Sequence, residues 1–323
     1  MLKKIDKSQA RIGMFIEDLE GSWNENPFQA KRFRLNQEEQ LLNCNCVAVI
    51  INTALGVDVE GTQTAKPRPA RSKPKAAAAA LTPEERIRVT SELIAQSEEV
   101  VEDVFKAVRV GGELTIDQVK PVVSQISRAM HNDPLVYLNV SRLKSKDETT
   151  FRHSIAVSAL MLQFGRYLKL KPDVVQLLGL SGLLHDIGKM KIPAEVLTKE
   201  GGLTDDEFAL IRNHPALGHA ILTGYKDIPP MVLEVCRHHH ERMDGKGYPD
   251  GLSGDQLSLP VRISAICDVF EAITSVRPYK KAWTQSDAIA WMLERPGHFD
   301  KPLVRQFVAC LDMVARNANS AAA

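Results

Sequence analysis

The stretch DVVQLLGLSGLLHDIGK, residues 173–189, limits the possible folds more than any other part of the chain. Wound as a helix it is apolar on nearly every side, so it belongs inside a folded body, and its end carries His185 and Asp186 into that interior. A buried carboxylate without a partner costs several kcal/mol, and a bound metal is one effective way to offset that. VRISAICDVFEAI, residues 261–273, poses the same problem with Asp268 in mid-helix.

The histidines sharpen the problem. All nine lie beyond residue 130, and seven fall between His153 and His240, too uneven for surface scatter. Singly each is ordinary: a His-Asp pair usually caps a helix or forms an ion pair, a lone histidine on an apolar helix is usually hydrogen-bonded core, and a run of three can bind metal adventitiously. The set changes the reading. His153, His185, Asp186, His214, His239, His240 and Asp268 sit on or at the ends of separate expected helices, the two adjacent pairs apart, and helical bundles build metal sites from inward side chains of several helices. Adjacent helical residues point about 100° apart, so His185 with Asp186, and His239 with His240, are not expected to serve one metal from one direction. Two divalent ions fit better, with Asp186 as a bridge. Imidazole and carboxylate without thiolate suit iron or manganese, and zinc and nickel stay open. A pair of metals that activates water and steadies both oxygens of an in-line displacement hydrolyses phosphoesters. Lys189, one helical turn beyond His185, can reach non-bridging oxygens or protonate the departing alkoxide; the plain alternative is a helix-end lysine meeting the macrodipole.

Composition supplies the frame. At 323 residues, with 44% hydrophobic and 25% charged side chains, the chain reads as a folded, water-soluble protein of two domains. No apolar run reaches the length of a membrane span, and the opening MLKKIDKSQARIG lacks a secretory stretch, so a cytoplasmic location is expected. Five scattered cysteines suit a reducing compartment, with Cys44 and Cys46 read as reduced residues at a strand start. A net charge of +1 offers no field for a nucleic-acid polymer. The fold class is mainly α: an all-helical domain preceded by a small α+β domain and a Pro/Ala/basic linker. Residues 1–62 form the first domain, with strands in ARIGMFIEDL and CVAVIINT and a short helix over 36–43. Residues 63–81, which run from basic Pro-rich sequence into Ala76 to Ala80, form a flexible linker. Residues 82–144 are a helical connector opened by the capping pattern Thr82-Pro83-Glu84-Glu85, 145–316 the metal domain, and 317–323 a disordered tail. Helices are expected near 116–131, 151–168, 173–187, 205–222, 230–241, 260–276, 285–294 and 301–316.

HHHERMDGKGYPDGLSG, residues 238–254, sets the histidine run against a loop with glycines at Gly245, Gly247, Gly251 and Gly254. Such a loop inside a compact domain is a lid, a binding loop or disordered. Gly247, Tyr248 and Pro249 are read as a wall near His239 and His240; the plain alternative is a surface connection whose glycines serve turns.

HDIGK, His214-Pro215, HHERMDGKGYPDGL and ICDVFEAITSVRPYK, in this order over roughly residues 145–295, resemble the HD-GYP family of the HD superfamily. GMFIEDLEGSW and NPF resemble an uncharacterised domain that often precedes it in bacteria. The resemblance implies a metal-dependent phosphodiesterase that hydrolyses cyclic di-GMP to linear pGpG, or on to GMP, in bacterial second-messenger signalling. It makes His153, His185, Asp186, His214, His239, His240 and Asp268 the metal ligands, Lys189 the phosphate-contacting lysine, and Arg277 with Lys280 a clamp on the phosphates. It also implies a loop that meets a diguanylate cyclase (GGDEF) partner, and the long helix from Glu84 could pair two copies into a homodimer. Some family members carry a glutamate one turn before the first ligand histidine; here Thr149 stands there with Glu148 beside it, which argues against a third ion and for a product that stops at pGpG. Two readings compete: a catalytically weak signalling protein that binds cyclic di-GMP or a cyclase, and an HD phosphohydrolase acting on another nucleotide.

Overall fold

Short β-branched runs and long apolar helices separate along the chain as the residues dictate. The structure, a computed structural model, describes residues 2–6, 9–11, 14–21, 33–35, 46–53, 81–142, 149–199, 201–276 and 282–322. The expected helix over 36–43 and the linker, apart from its last residue, lie outside them. Two units divide the chain, Met1–Ala79 and Ala80–Ala323.

The first unit is an antiparallel sheet of β1 (Leu2–Asp6), β2 (Phe15–Gly21), β3 (Phe33–Arg34) and β4 (Cys46–Asn52), in the order β1-β4-β2-β3. β4 lies inside the sheet, paired on both sides, and its alternate residues Val49 and Ile51 are buried with Ile5, Met14, Ile16 and Leu35. β1 was not expected from sequence, because only Ile5 of LKKID is buried and the alternation is faint.

The second unit is helical. The connector comprises α1 (Pro83–Arg109), α2 (Ile116–Asn132) and α3 (Pro134–Ser141); the site lies among α4 (Thr149–Tyr167), α5 (Pro172–Leu184), α6 (Ala194–Leu197), α7 (Asp205–Arg212), α8 (His214–Thr223), α9 (Pro230–His238) and α10 (Leu259–Thr274). α11 (Gln285–Glu294) and α12 (Lys301–Ala322) close it. The capping pattern works as read: Glu85 N–H donates to Thr82 Oγ1 at 3.2 Å while Thr82 N–H donates to the Glu85 carboxylate at 2.8 Å, a device worth about 1 kcal/mol. Thr204 and Glu207 repeat it at α7.

α5 is the all-round apolar stretch, with Leu178, Leu183 and Leu184 fully buried. It packs on α4, where Ser158 Oγ donates to the Gly179 carbonyl at 2.7 Å. Two expectations are corrected and one further helix is added. The run 205–222 is two helices, because Pro215 has no N–H to give and disfavours helical geometry at the residue before it, so the chain restarts at His214. Residues 317–322 continue α12 instead of forming a disordered tail, since nothing in NANSAA breaks a helix. α3 was overlooked, although Asp133 caps it by accepting from Val136 N–H at 3.3 Å and Pro134 occupies its first turn.

Candidate metal centre

Three helix ends meet at one point and two further helices pass by it. α5 stops at Leu184 and the chain leaves helical geometry at Asp186 (φ −97°, ψ 8°) before a 3-10 turn over Ile187–Lys191. Gly188 in that turn lies so close to α8 that an added Cβ would meet Gly218 N at 2.5 Å, which lets the start of α8 approach Asp186. α9 stops at His238, leaving His239 and His240 at its end, while α4 brings in His153 from its second turn and α10 brings in Asp268 from its middle. His153, His185, Asp186, His214, His239 and Asp268 are buried and His240 half-buried. All the expected ligand residues therefore come together in one place.

Within it, three residue groups could each hold an ion, their candidate ligand atoms lying within 4.8 Å of one another: His214, His239 and His240; His153, His185 and Asp268; His185, Asp186 and His239. The expectation that adjacent residues serve different directions is corrected, because both adjacent pairs fall within single groups. The 100° rule holds inside a helix, and these pairs sit where helices end.

Four of the five histidines are fixed from behind. Nδ1 of His185 faces the Gly182 carbonyl at 2.7 Å, that of His214 the Ile211 carbonyl at 2.7 Å, and that of His239 the Cys236 carbonyl at 2.9 Å, so each Nδ1 carries the proton and each Nε2 a lone pair. Nδ1 of His153 donates to the Glu271 carboxylate. The lone pairs then face inward. His214 Nε2 and His239 Nε2 stand 3.1 Å apart, two acceptors with no proton between them, and His185 Nε2 and Asp186 Oδ1 are buried without a hydrogen-bond partner. Inward lone pairs and orphaned acceptors are the donor set a divalent cation satisfies.

Asp186 lies at the centre. Its Oδ1 is 3.2 Å from His214 Nε2 and 3.9 Å from His239 Nε2, while Oδ2 is 3.3 Å from His185 Nε2, 3.5 Å from His153 Nε2 and 2.5 Å from Lys189 Nζ. Asp268 faces His153 at 3.0 Å and His240 at 3.7 Å. Burial opposes charge on Asp186, but Lys189 and His185 outweigh it and hold its carboxyl well below the usual range. Burial likewise opposes a proton on His153, yet Glu271 and Asp268 push its pKa up to about 9. Burial, helped by surrounding imidazoles, drives His239 well down and His240 to about 3. Lys189 and His153 lie against the two carboxylates, Lys189 on Asp186 and His153 on Asp268.

The glycine loop forms the rim. Tyr248 lies with its ring centroid 4.8 Å from that of His240, and the Arg212 guanidinium carbon is 4.6 Å above the tyrosine ring. Buried Glu241 accepts at Oε1 from Asp250 N–H (2.7 Å) and Gly251 N–H (3.0 Å). Asp244 N–H donates to the Gly297 carbonyl at 2.8 Å and Met243 N–H to that of His298 at 3.2 Å. A Cβ on Gly247 would lie 2.6 Å from Arg242 N, so glycine serves close packing there as much as turning. His238, the first of the histidine run, turns away to Asp250 at 2.8 Å.

Comparison with known proteins adds the lineage. The HD domain family matches residues 133–303, and a domain of unknown function, DUF3391, matches residues 2–119. A cyclic di-GMP phosphodiesterase of Pseudomonas aeruginosa is 40% identical over 324 residues, covering 95% of this chain and 76% of that protein. The chain belongs to the HD-GYP family. A cyclic di-GMP phosphodiesterase response regulator of Xanthomonas campestris pv. campestris is 40% identical over 150 residues, 46% of this chain and 38% of its own length. A 3'3'-cGAMP-specific phosphodiesterase of Vibrio cholerae is 37% identical over 155 residues, 48% of this chain and 36% of its own. The solved structure of an HDG"Y"P protein from Bdellovibrio bacteriovorus shares the fold, with a TM-score of 0.58 at 15% identity over 97% of this chain and 100% of that one.

HD-GYP membership implies divalent metal binding, and the His/Asp groups described above could supply it. Arg277 and Lys280, the expected phosphate clamp, lie outside the described residues, as does Glu148. Sequence reading missed two buried carboxylates, Glu271 behind His153 and Glu241 beneath the loop. Glu271 had a signal, since it follows Asp268 by three residues on the same apolar helix. No described helix of this HD-GYP chain is long and apolar enough to cross a membrane.

Proposed function

We propose that the second unit hydrolyses cyclic di-GMP to linear pGpG with two divalent ions, iron or manganese before zinc or nickel, held by His153, His185, Asp186, His214, His239, His240 and Asp268. One observation carries the two-ion reading: the two oxygens of Asp186 face different histidines, Oδ1 toward His214 and His239, Oδ2 toward His153 and His185. A carboxylate so placed could hold an ion on each oxygen. A donor set of imidazole and carboxylate without thiolate fits the metals named.

Such a pair of ions supplies a deprotonated water and charge stabilisation for attack at phosphorus. The chain does the rest. Backbone carbonyls behind His185, His214 and His239, and Glu271 behind His153, hold the rings in one tautomer. Lys189, tied to Asp186 Oδ2, stands at the edge of the cage with its side chain 24% exposed, where its ammonium can meet a phosphate oxygen or give a proton to the leaving ribose hydroxyl. Arg277 and Lys280 keep their proposed place as a phosphate clamp. Gly247, Tyr248 and Pro249 form a wall on the substrate side, and a cyclase partner would meet the exposed Lys246 and Asp250 beside them. A cytoplasmic location and a homodimer through α1 belong to the same reading.

The test is metal analysis of anaerobically purified protein together with chromatography of its products from cyclic di-GMP, for the natural chain and Asp186→Ala. The natural chain should carry about two ions and yield pGpG. The variant should lose both metal and turnover while its helical circular dichroism persists. Unchanged turnover in Asp186→Ala removes that residue from the site, rapid conversion through to GMP contradicts the pGpG endpoint, and faster hydrolysis of 3'3'-cGAMP reassigns the substrate.

A further inference from the structure

The last turn of α4 carries a cation that no carboxylate answers. Arg152, near the start of the same helix, is half-buried and pairs with Glu98 at 2.8 Å. Arg166 is half-buried as well, yet it pairs with no carboxylate among the described residues, and burial alone lowers its pKa. Its Nη2 donates to the Ser127 carbonyl at 2.8 Å and to the Ser127 hydroxyl, whereas Nη1 is buried without a hydrogen-bond partner. Lys169 follows three residues later, exposed and likewise without an ion pair among the described residues. It stands at φ +56°, just before Leu170 N–H closes the helix on the Gly165 carbonyl at 3.1 Å, a place that glycine fills more readily than lysine. The backbone therefore gives no reason for a lysine there.

Both cations line a cleft of about 610 Å³, a size that suits a small organic ligand. Three stretches of chain wall it: the end of α2 with Pro134 of α3, the last turn of α4, and α12. No aspartate or glutamate lines it among the described residues, and His131 adds a third basic group. Met130, Pro134, Tyr167 and Met313 supply apolar surface. Gln163 lines the cleft too; it is only 8% exposed, and its side-chain amide makes no hydrogen bond with any described residue. A buried amide without a partner, beside cations without a counter-charge, is a set of groups that a ligand completes. Gln163 and Arg166 lie ten and thirteen residues past His153 on α4, which at the helical rise places the cleft about 15 to 20 Å from the cage.

We propose that this cleft is a second ligand site, separate from the metal cage, for a phosphate monoester carried on a flat apolar body. Arg166 and Lys169 take the phosphate, Gln163 a polar edge, and Tyr167 with the two methionines the body. A phosphate suits the pair of cations better than a carboxylate, because a dianion with three acceptor oxygens meets a guanidinium and an ammonium at once. Its charge also answers Arg166, so the occupant stabilises the fold. The inference does not depend on which nucleotide the cage hydrolyses.

Isothermal titration of the full chain with phenyl phosphate, inorganic phosphate, benzoate and phenol tests the site, on metal-free and on metal-loaded protein, since metal ions bind phosphates themselves. The metal-free chain should bind phenyl phosphate at a single site and unfold at a higher temperature in its presence. Inorganic phosphate should bind at least about tenfold more weakly, because it buries no apolar body. Benzoate should also bind more weakly than phenyl phosphate, and phenol should give no measurable heat. Lys169→Gly should weaken phenyl phosphate by about twofold to fivefold, the scale of one exposed charge, while the unliganded variant is no less stable, since glycine accepts φ +56°. Arg166→Lys should weaken it by about tenfold, because a point charge lacks the fork. Binding that appears only after metal loading assigns the phosphate to the cage and overturns the second site, as does an affinity that neither variant changes. Inorganic phosphate bound as tightly as phenyl phosphate overturns the apolar half of the assignment, and benzoate bound more tightly than phenyl phosphate overturns the phosphate half.

Discussion

The cage and the loop beside it are built by opposite means. In the cage, backbone carbonyls anchor the outer nitrogens of the histidines while the inner nitrogens of His185, His214 and His239, and one oxygen of Asp186, find no proton to share. In the loop, Glu241 Oε1 and the carbonyls of Gly297 and His298 answer the amides of Asp250, Gly251, Asp244 and Met243, while Glu241 Oε2 alone of the loop's side-chain atoms is buried without a partner. Several polar groups left open around one buried point call for something from outside, whereas polar groups closed among themselves but for one oxygen make a wall that stands with little help. The cage should therefore be the part whose stability follows the metal, and the loop the part that does not.

The largest effect expected to sharpen this contrast is at Glu271. It holds His153 Nδ1 and is itself held by Ser275 Oγ at 2.5 Å, so removing it leaves the ring free to turn. Glu271→Ala should weaken divalent metal binding by about 10- to 100-fold, the usual cost of losing a group that orients a ligand histidine. Isothermal titration of metal-free protein measures it. Equal affinity in the variant would mean that His153 is held by the fold alone.

Why the cage was legible in sequence and the loop's fastening was not follows from where the partners lie. His185, Asp186 and Asp268 stand out because a charge in an apolar helix is an anomaly that sequence displays, and Glu271 could have been found by the same logic. Glu241 could not, since its partners are amides of Asp250 and Gly251, and a backbone donor has no letter of its own. Arg212 reads as any arginine closing a helix. The helical division around Pro215 was legible in principle, yet the apolar periodicity on both sides concealed it. Rules of helical direction failed at His185-Asp186 and His239-His240 because the useful geometry begins where the helix stops.

Next in size is the effect of pH on metal uptake. Glu271 and Asp268 outweigh burial and hold the metal-free His153 protonated up to about 9, so a cation must displace that proton, whereas His240, lowered to about 3, competes only in acid. Apparent affinity should therefore rise about tenfold per pH unit across neutrality and level off above about 9. The sign reverses for stability of the metal-free protein. A raised pKa contributes its full stabilisation below the unfolded imidazole value of about 6.5, and that contribution is lost as pH climbs through about 9. Metal titrations and thermal unfolding over this range should move in opposite directions; affinity independent of pH would show that His153 is no ligand.

The smallest effect probes the loop. Glu241→Gln keeps an acceptor for the Asp250 and Gly251 amides but exchanges a charged hydrogen bond for a neutral one, a loss of about 1 kcal/mol. Hydrogen exchange at those two amides should quicken by about fivefold, with metal content as in the natural chain. The two results must be read together. If the glutamine variant also loses metal, the loop and the cage open as one cooperative piece, and the division between a ligand-dependent interior and a self-sufficient rim fails. Faster exchange confined to the loop, with the cage still loaded, places the boundary between them at His240-Glu241, where a candidate metal ligand and the loop's anchor are neighbours in sequence but answer to different partners.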